Sequence, residues 1–191
     1  MLKEYEPNPM YHNYVITNTF PCFDFVIHYT ELMNQSIPVF PHRHDLYEIF
    51  YGVEGTFEFE CDGKVEVLGP QEFVLLGKNC SHRIRYTPEC PATYFTMIFD
   101  IVAKTPPAPL EAELEYGELI ETMAHIDKEQ YRRGRCHKPQ RSLLEQIDQE
   151  TARHQLGWLS QTGMLYCQFF FNLLREVAHV TSQVKDPLGY K

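Results

Sequence analysis

The residues best placed to do chemistry in this sequence sit between positions 42 and 55. They read Pro41-His42-Arg43-His44-Asp45-Leu46-Tyr47-Glu48-Ile49-Phe50-Tyr51, with Gly55 just beyond. In a β-strand alternate side chains share a face. One face of a strand over 42–51 therefore carries His42, His44, Leu46, Glu48 and Phe50. Two imidazoles and a carboxylate on one side, backed by apolar groups, suit a metal site or a polar ligand clamp inside a folded sheet. A further imidazole, His82, heads a later strand and falls where such a site needs another donor. Tyr47, Arg43 and Asp45 lie on the opposite face and are expected at the outer surface or against a helix.

Holding these groups in place requires a sheet, and the first hundred residues alternate in short runs. Phe23, Phe25, Ile27 and Tyr29 share one face of a strand, with His28 exposed on the other. Thr56–Glu60 and Lys64–Leu68 flank Asp62-Gly63, a dipeptide whose tolerance of positive φ marks a two-residue hairpin. Glu72–Leu76, His82–Tyr86 and Thr93–Asp100 complete about eight strands between residues 14 and 102, the pattern of a β sandwich or barrel. Ahead of His82 the turn is Gly77-Lys78-Asn79, and Asn accepts the left-handed conformation there. Cys80 is read as a small buried thiol. Phe50, Phe57, Phe59 and Tyr86 are read as packing aromatics that can also stack on a sugar.

The pattern changes at Thr105-Pro106-Pro107-Ala108-Pro109, which blocks helix and ladder alike. Beyond it, a short helix is expected around Glu118–Ile126, because Gly117 weakens a longer one. Arg132-Arg133-Gly134-Arg135, with Lys138 and Arg141, reads as a solvated loop. A helix opens at Pro139 and stops near Gly157, and another spans about Ser160 to Ser182. The last helix is apolar around most of its circumference, more than one packed face requires. A second subunit is the economical partner for the surplus; contact with the preceding helix is the alternative. Residues 1–12, with Pro7 and Pro9, read as an irregular arm.

The chain has 191 residues, 43% hydrophobic and 23% charged, with net charge −9. So acidic a chain is a poor phosphate binder through its own surface. No apolar run reaches membrane-spanning length, and the N-terminus lacks a signal-peptide core, so no membrane partner is expected. The six cysteines include no Cys-x-x-Cys pair, which argues against a disulfide framework and for a cytoplasmic chain with reduced thiols. No Ser/His/Asp arrangement, phosphate loop or paired catalytic carboxylate stands out.

The spacing His42-x-His44-x3-Glu48-x6-Gly55, followed by His82, resembles the two-part signature of cupin barrels. Gly77 and Asn79 stand where cupins usually have Pro and Gly. A cupin-like barrel (double-stranded β-helix, or jelly roll) carrying this set, then a Pro-rich break and C-terminal helices, resembles the N-terminal half of AraC-type transcriptional regulators. Gly69-Pro70-x-Glu72-Phe73-Val74-Leu75-Leu76 adds to that likeness. The resemblance implies a mainly β domain over 1–104 that binds a small effector, often a sugar or related metabolite. It implies a helical dimerisation region over 110–182 and a linker at 183–191, giving a homodimer through the C-terminal helices. It implies promoter DNA binding only through a C-terminal helix-turn-helix domain missing from this sequence. For the site, three imidazoles and a carboxylate (His42, His44, Glu48, His82) suit Zn, Ni, Mn or Fe. Metal-free effector contact by the same groups, and simple mutual satisfaction of buried polar groups, stay open. The competing functional class is a small metal-dependent cupin enzyme acting on a small metabolite.

Overall fold

The computed structural model describes residues 15–34, 40–85, 92–105 and 109–178. The expected arm at 1–12, Tyr86, Cys90, Pro106 and Pro107, the last helix beyond residue 178 and the linker at 183–191 lie outside the described residues.

Short alternating runs build nine strands among the described residues: β1 (Ile16–Thr19), β2 (Phe23–Asn34), β3 (Tyr47–Glu54), β4 (Phe57–Cys61), β5 (Lys64–Leu68), β6 (Glu72–Leu76), β7 (His82–Arg85), β8 (Thr93–Ala103) and β9 (Tyr131–Arg135). Three helices follow or flank the last: α1 (Leu110–Glu129), α2 (Arg141–Arg153) and α3 (Trp158–Val177). The strands form a six-stranded sheet in the order β1-β2-β8-β3-β6-β9 and a three-stranded sheet in the order β5-β4-β7. The pairings are antiparallel. The fold is mainly β and cupin-like, with C-terminal helices packed on the larger sheet.

The larger sheet is buried on both faces, which explains the nearly unbroken burial of β3 and β6. Its outer face sends Phe25, Ile27, Ile49, Tyr51, Phe73, Phe95 and Phe99 into a core completed by α1, α2 and α3. Phe170 of α3 stacks on Phe25 at 4.8 Å between ring centroids and meets Phe99 edge-on at 4.9 Å. The inner face meets the smaller sheet in a second core of Phe50, Val74, Leu76 and Tyr94 against Phe57, Phe59, Cys61 and Ile84. Helices, large sheet and small sheet thus make three layers.

Four local expectations are corrected. The strand read over 42–51 begins only at Tyr47; before it, residues 40–46 are irregular apart from a single bridge between His42 and His82. On β2 the register against β8 shifts between Ile27 and Tyr29. This bulge flips the alternation, so Tyr29 leaves the face of Phe25 and Ile27. The helix expected at Glu118–Ile126 runs from Leu110 to Glu129, with Gly117 inside it; its buried Leu119, Met123 and Ile126 supply the anchorage that propensity lacks. Tyr131–Arg135 is an edge strand on β6 rather than a solvated loop. Arg133 explains the change: its guanidinium donates to Glu66 on the small sheet at 2.8 Å and to Glu72 on the large one at 2.9 Å. These pairings depend on groups distant in sequence, so the local run of arginines does not reveal them.

Among the described residues most of the apolar arc of α3 is taken up within the chain, while Met164 stays exposed. Phe169, Phe170 and Leu173 are fully buried in the core that also holds Leu143, Leu144 and Ile147 of α2. Among the described residues, no helix is long and apolar enough to cross a membrane.

Candidate functional site

His42, His44, Glu48 and His82 come together: one potential donor atom from each lies within 4.8 Å of all the others. Strand parity delivers only part of this. Glu48 points inward from β3, while His82 opens β7 in the opposite sheet. His42 reaches the site by a two-way backbone bridge to His82, with N–H to carbonyl distances of 3.0 and 2.9 Å. His44 lies on the irregular approach to β3. Glu48 and His82 are buried, 3% and 2% exposed, His44 is half-buried and His42 is exposed. The cluster therefore runs from the interior to the surface.

Each imidazole is oriented the same way. Nδ1 of His42, His44 and His82 lies 3.0 Å from the carbonyls of Phe40, Leu46 and Cys80 respectively. A carbonyl can only accept, so each Nδ1 carries a proton. A neutral ring then presents a bare Nε2. Yet Nε2 of both His44 and His82 stands 2.9 Å from the same Glu48 oxygen, Oε2. Without a cation that contact demands two imidazolium rings around one carboxylate. With a cation, three neutral Nε2 lone pairs and one carboxylate oxygen are what a divalent transition metal takes. Thr96 on β8 donates its hydroxyl to the other oxygen, Oε1, at 2.8 Å, holding the carboxylate with Oε2 toward the histidines. The donor set fits a metal.

Electrostatics agree with the geometry. Burial would raise the Glu48 carboxyl, but hydrogen bonds from His44 and His82, the charge of His82 and the Thr96 hydroxyl outweigh it and hold it at about 2. His44 is raised above its ordinary value, chiefly by its hydrogen bond to Glu48 and against the opposing effect of burial. Around the cluster the interior is aromatic. Phe50 meets His82 edge-on, Phe59 lies parallel to it, and Tyr94 stacks on Phe57 at 4.8 Å.

The turn before His82 connects the cluster to the helical layer. Asn79, at φ 60°, donates its N–H to the His44 carbonyl at 2.8 Å and its side-chain amide to Asp45 at 3.1 Å. Asp127, near the end of α1, accepts from the Lys78 N–H at 2.9 Å and from the Tyr47 hydroxyl at 3.0 Å. Gly77 donates its N–H to the Gln130 carbonyl at 2.7 Å. Tyr47 is thus the helix-contacting residue expected from its strand face, whereas Arg43 is exposed. His28 is exposed, as expected.

Sequence reasoning missed Thr96, Asp127 and Cys61. Thr96 and Asp127 have no local signature; only pairing of distant segments brings them in. Cys61 lies opposite His82 in the β4–β7 register, and its sulfur meets that of Cys80, with their Cα atoms 6.9 Å apart. The expectation of scattered thiols is corrected for this pair, while Cys22, Cys136 and Cys167 are buried and free. A separate cleft of about 390 Å³ lies between α2 and α3, beside His137, Gln140 and Glu176, and contains none of the cluster.

Residues 23–104 match the family described as "AraC-like ligand binding domain". No curated protein matches the chain. Among solved structures, an RmlC-like cupin from Shewanella frigidimarina is 12% identical, covering 51% of this chain and 90% of its own, at a TM-score of 0.33. KdgF from a Halomonas species is 20% identical, covering 47% and 76%, at 0.33. A Cupin 2 conserved barrel domain protein from Salinispora arenicola is 18% identical, covering 42% and 65%, at 0.33. Likeness at these scores carries no argument. The family match and the layered β fold meet in one place: residues 23–104 resemble an AraC-like ligand binding domain, and the fold they build is cupin-like.

Proposed function

We propose that this chain is the small-molecule sensing and dimerisation module of an AraC-type transcriptional regulator. In this reading a metabolite, a sugar or a related compound, binds in the barrel over 1–104. Residues 110–182 pair two copies, and 183–191 lead toward a helix-turn-helix domain that meets DNA in the cytoplasm. The module itself performs no reaction. His42, His44, Glu48 and His82 hold a divalent transition metal, and the metal supplies a positive anchor for an anionic or oxygen-rich effector.

The observation that carries this reading is the continuous hydrogen-bonded connection from His44 through Asn79 and Lys78 to Asp127 on α1. A sensor needs its ligand site joined to the element that reports occupancy; an enzyme does not. The test is metal loading followed by ligand screening. Protein purified without a histidine tag is expected to take up one Zn or Ni per chain, to run as a dimer in solution, and to be stabilised further by an effector it leaves unchanged. Turnover of a metabolite that vanishes in His42→Ala and His82→Ala would establish instead the metal-dependent cupin enzyme, the alternative that the three-imidazole, one-carboxylate set favours.

A further inference from the structure

The bulge on β2 has turned a second carboxylate into the barrel. Past the register shift at Ile27/Tyr29, Thr30 faces the helices, its hydroxyl 2.7 Å from that of Tyr166 on α3, and Leu32 packs into the same core. Tyr29, Glu31 and Met33 therefore face the interior, where Met33 packs against the inner core. Glu31 is only 5% exposed and accepts a hydrogen bond from the Tyr29 hydroxyl. Without the extra residue, Glu31 would point into the apolar layer under α3. Bulges that re-aim a side chain in this way concentrate beside binding sites.

Glu31 is aligned with the metal cluster across the sheet. It pairs with Thr96 on β8, and Thr96 in turn pairs with Phe50 on β3. Beside that row, Tyr29 pairs with Ile98, and Ile98 with Glu48. Two strand spacings put the Glu31 and Phe50 backbones about 10 Å apart, with Thr96 between them and Tyr94 alongside. The floor of the barrel thus has an acidic pole at Glu31 and the histidine–carboxylate cluster at the other side. Burying a second carboxylate is costly, and the cluster's own chemistry makes no use of it.

We infer that Glu31, braced by Tyr29, is the specificity determinant of the barrel, selecting effectors that present hydrogen-bond donors, hydroxyl or ammonium, away from an acidic end. The acidic end follows from charge: a divalent metal with three neutral imidazoles and one carboxylate leaves a net positive centre. The inference rests on the sensing role proposed above for this barrel, and its acidic end on the metal.

Three six-carbon carboxylates test it by titration calorimetry on the full chain loaded with Zn: gluconate with hydroxyls, 6-aminohexanoate with an ammonium, and hexanoate with neither. At least one donor-bearing acid is expected to bind about tenfold or more tightly than hexanoate, the scale of a hydrogen bond to a charged group. Glu31→Gln should remove most of that margin and Tyr29→Phe part of it, with Zn affinity unchanged in both. Whichever acid wins identifies the donor as hydroxyl or ammonium. Equal or tighter binding of hexanoate, a margin that survives Glu31→Gln, or failure of all three to bind loaded protein overturns the inference. Running the series on metal-free protein separates the two claims: failure to load Zn removes the metal centre, while the donor margin there still reads Glu31. If Glu31→Gln does not fold, Tyr29→Phe decides the question in its place: a reduced margin supports Glu31, and an unchanged one overturns it.

Discussion

Glu48 is the residue on which the cluster turns, since both buried and half-buried imidazoles share its Oε2 and Thr96 restrains its Oε1. Glu48→Gln keeps the shape but replaces an anionic ligand by a neutral one, so Zn affinity measured by chelator competition should fall by more than roughly 100-fold. Thr96→Val leaves every ligand in place and removes only the hydrogen bond behind it; a loss of about tenfold is expected. Protons compete with the metal for the imidazoles. Because His44 titrates above its ordinary 6.5, metal affinity should begin to fall while pH is still above that value. The metal-free protein loses stability in the same direction, at lower pH, through Glu48. Its carboxyl is depressed to about 2, so the stability it contributes is present above its unfolded value near 4.5 and drains away as pH falls toward 2. Acid unfolding curves of wild type and Glu48→Gln should diverge above that window and merge at its lower end.

At the scale of elements, the turn Gly77-Lys78-Asn79 is the piece that both layers grip. A Cβ on Gly77 would stand 2.8 Å from the Asp127 Cα and 3.1 Å from the Ile126 carbonyl oxygen, so Gly77→Ala must push α1 off the turn. A loss of about 2 kcal/mol is expected in denaturant unfolding. Asp127→Asn is gentler, weakening the acceptor of the Lys78 N–H and the Tyr47 hydroxyl. It should leave Zn affinity close to that of wild type, yet reduce the protection from hydrogen exchange that Zn confers on the α1 backbone. Unaltered protection in that variant would show that the turn does not carry the site's state to the helix.

For the whole molecule, the decisive arrangement is one sheet buried on both faces, with the histidine–carboxylate cluster on its inner side and the helices on its outer side. Phe170 locks the outer layer, fully buried between Phe25 and Phe99. Phe170→Ala should cost about 4 kcal/mol, lowering the melting temperature of the barrel and helices together if the three layers unfold as one. The helical layer uses most of the apolar arc of α3 on the sheet and on α2, so the proposed dimer would use the apolar groups still exposed on the helices. Leu110 and Leu114, 65% and 62% exposed on α1, and Met164, 57% exposed on α3, are apolar groups left for it. If the proposed dimer forms, sedimentation should show it dissociating in Leu110→Glu/Leu114→Glu or in Met164→Glu, according to which helix carries the contact; wild-type protein that sediments as a monomer removes the dimer.

The amino-acid sequence by itself determined the parts of this protein that depend on short range. Period-two alternation marked the strands, Asp62 and Gly63 at φ 45° and 81° made the hairpin that the dipeptide calls for, and Asn79 took the left-handed turn. The types and spacing of His42, His44, Glu48 and His82 were enough to single out four groups that the structure brings together, because donor type does not depend on where the backbone puts it. Only the tertiary structure decided how they meet: His42 arrives through a bridge and His44 through an irregular approach, not along one strand. It also made an edge strand of an arginine-rich segment and, by one bulge at the His28 position, turned Glu31 from the helices to the barrel. Those outcomes depend on hydrogen-bond register between strands far apart in the chain, and a one-residue shift in register exchanges the two faces of a strand.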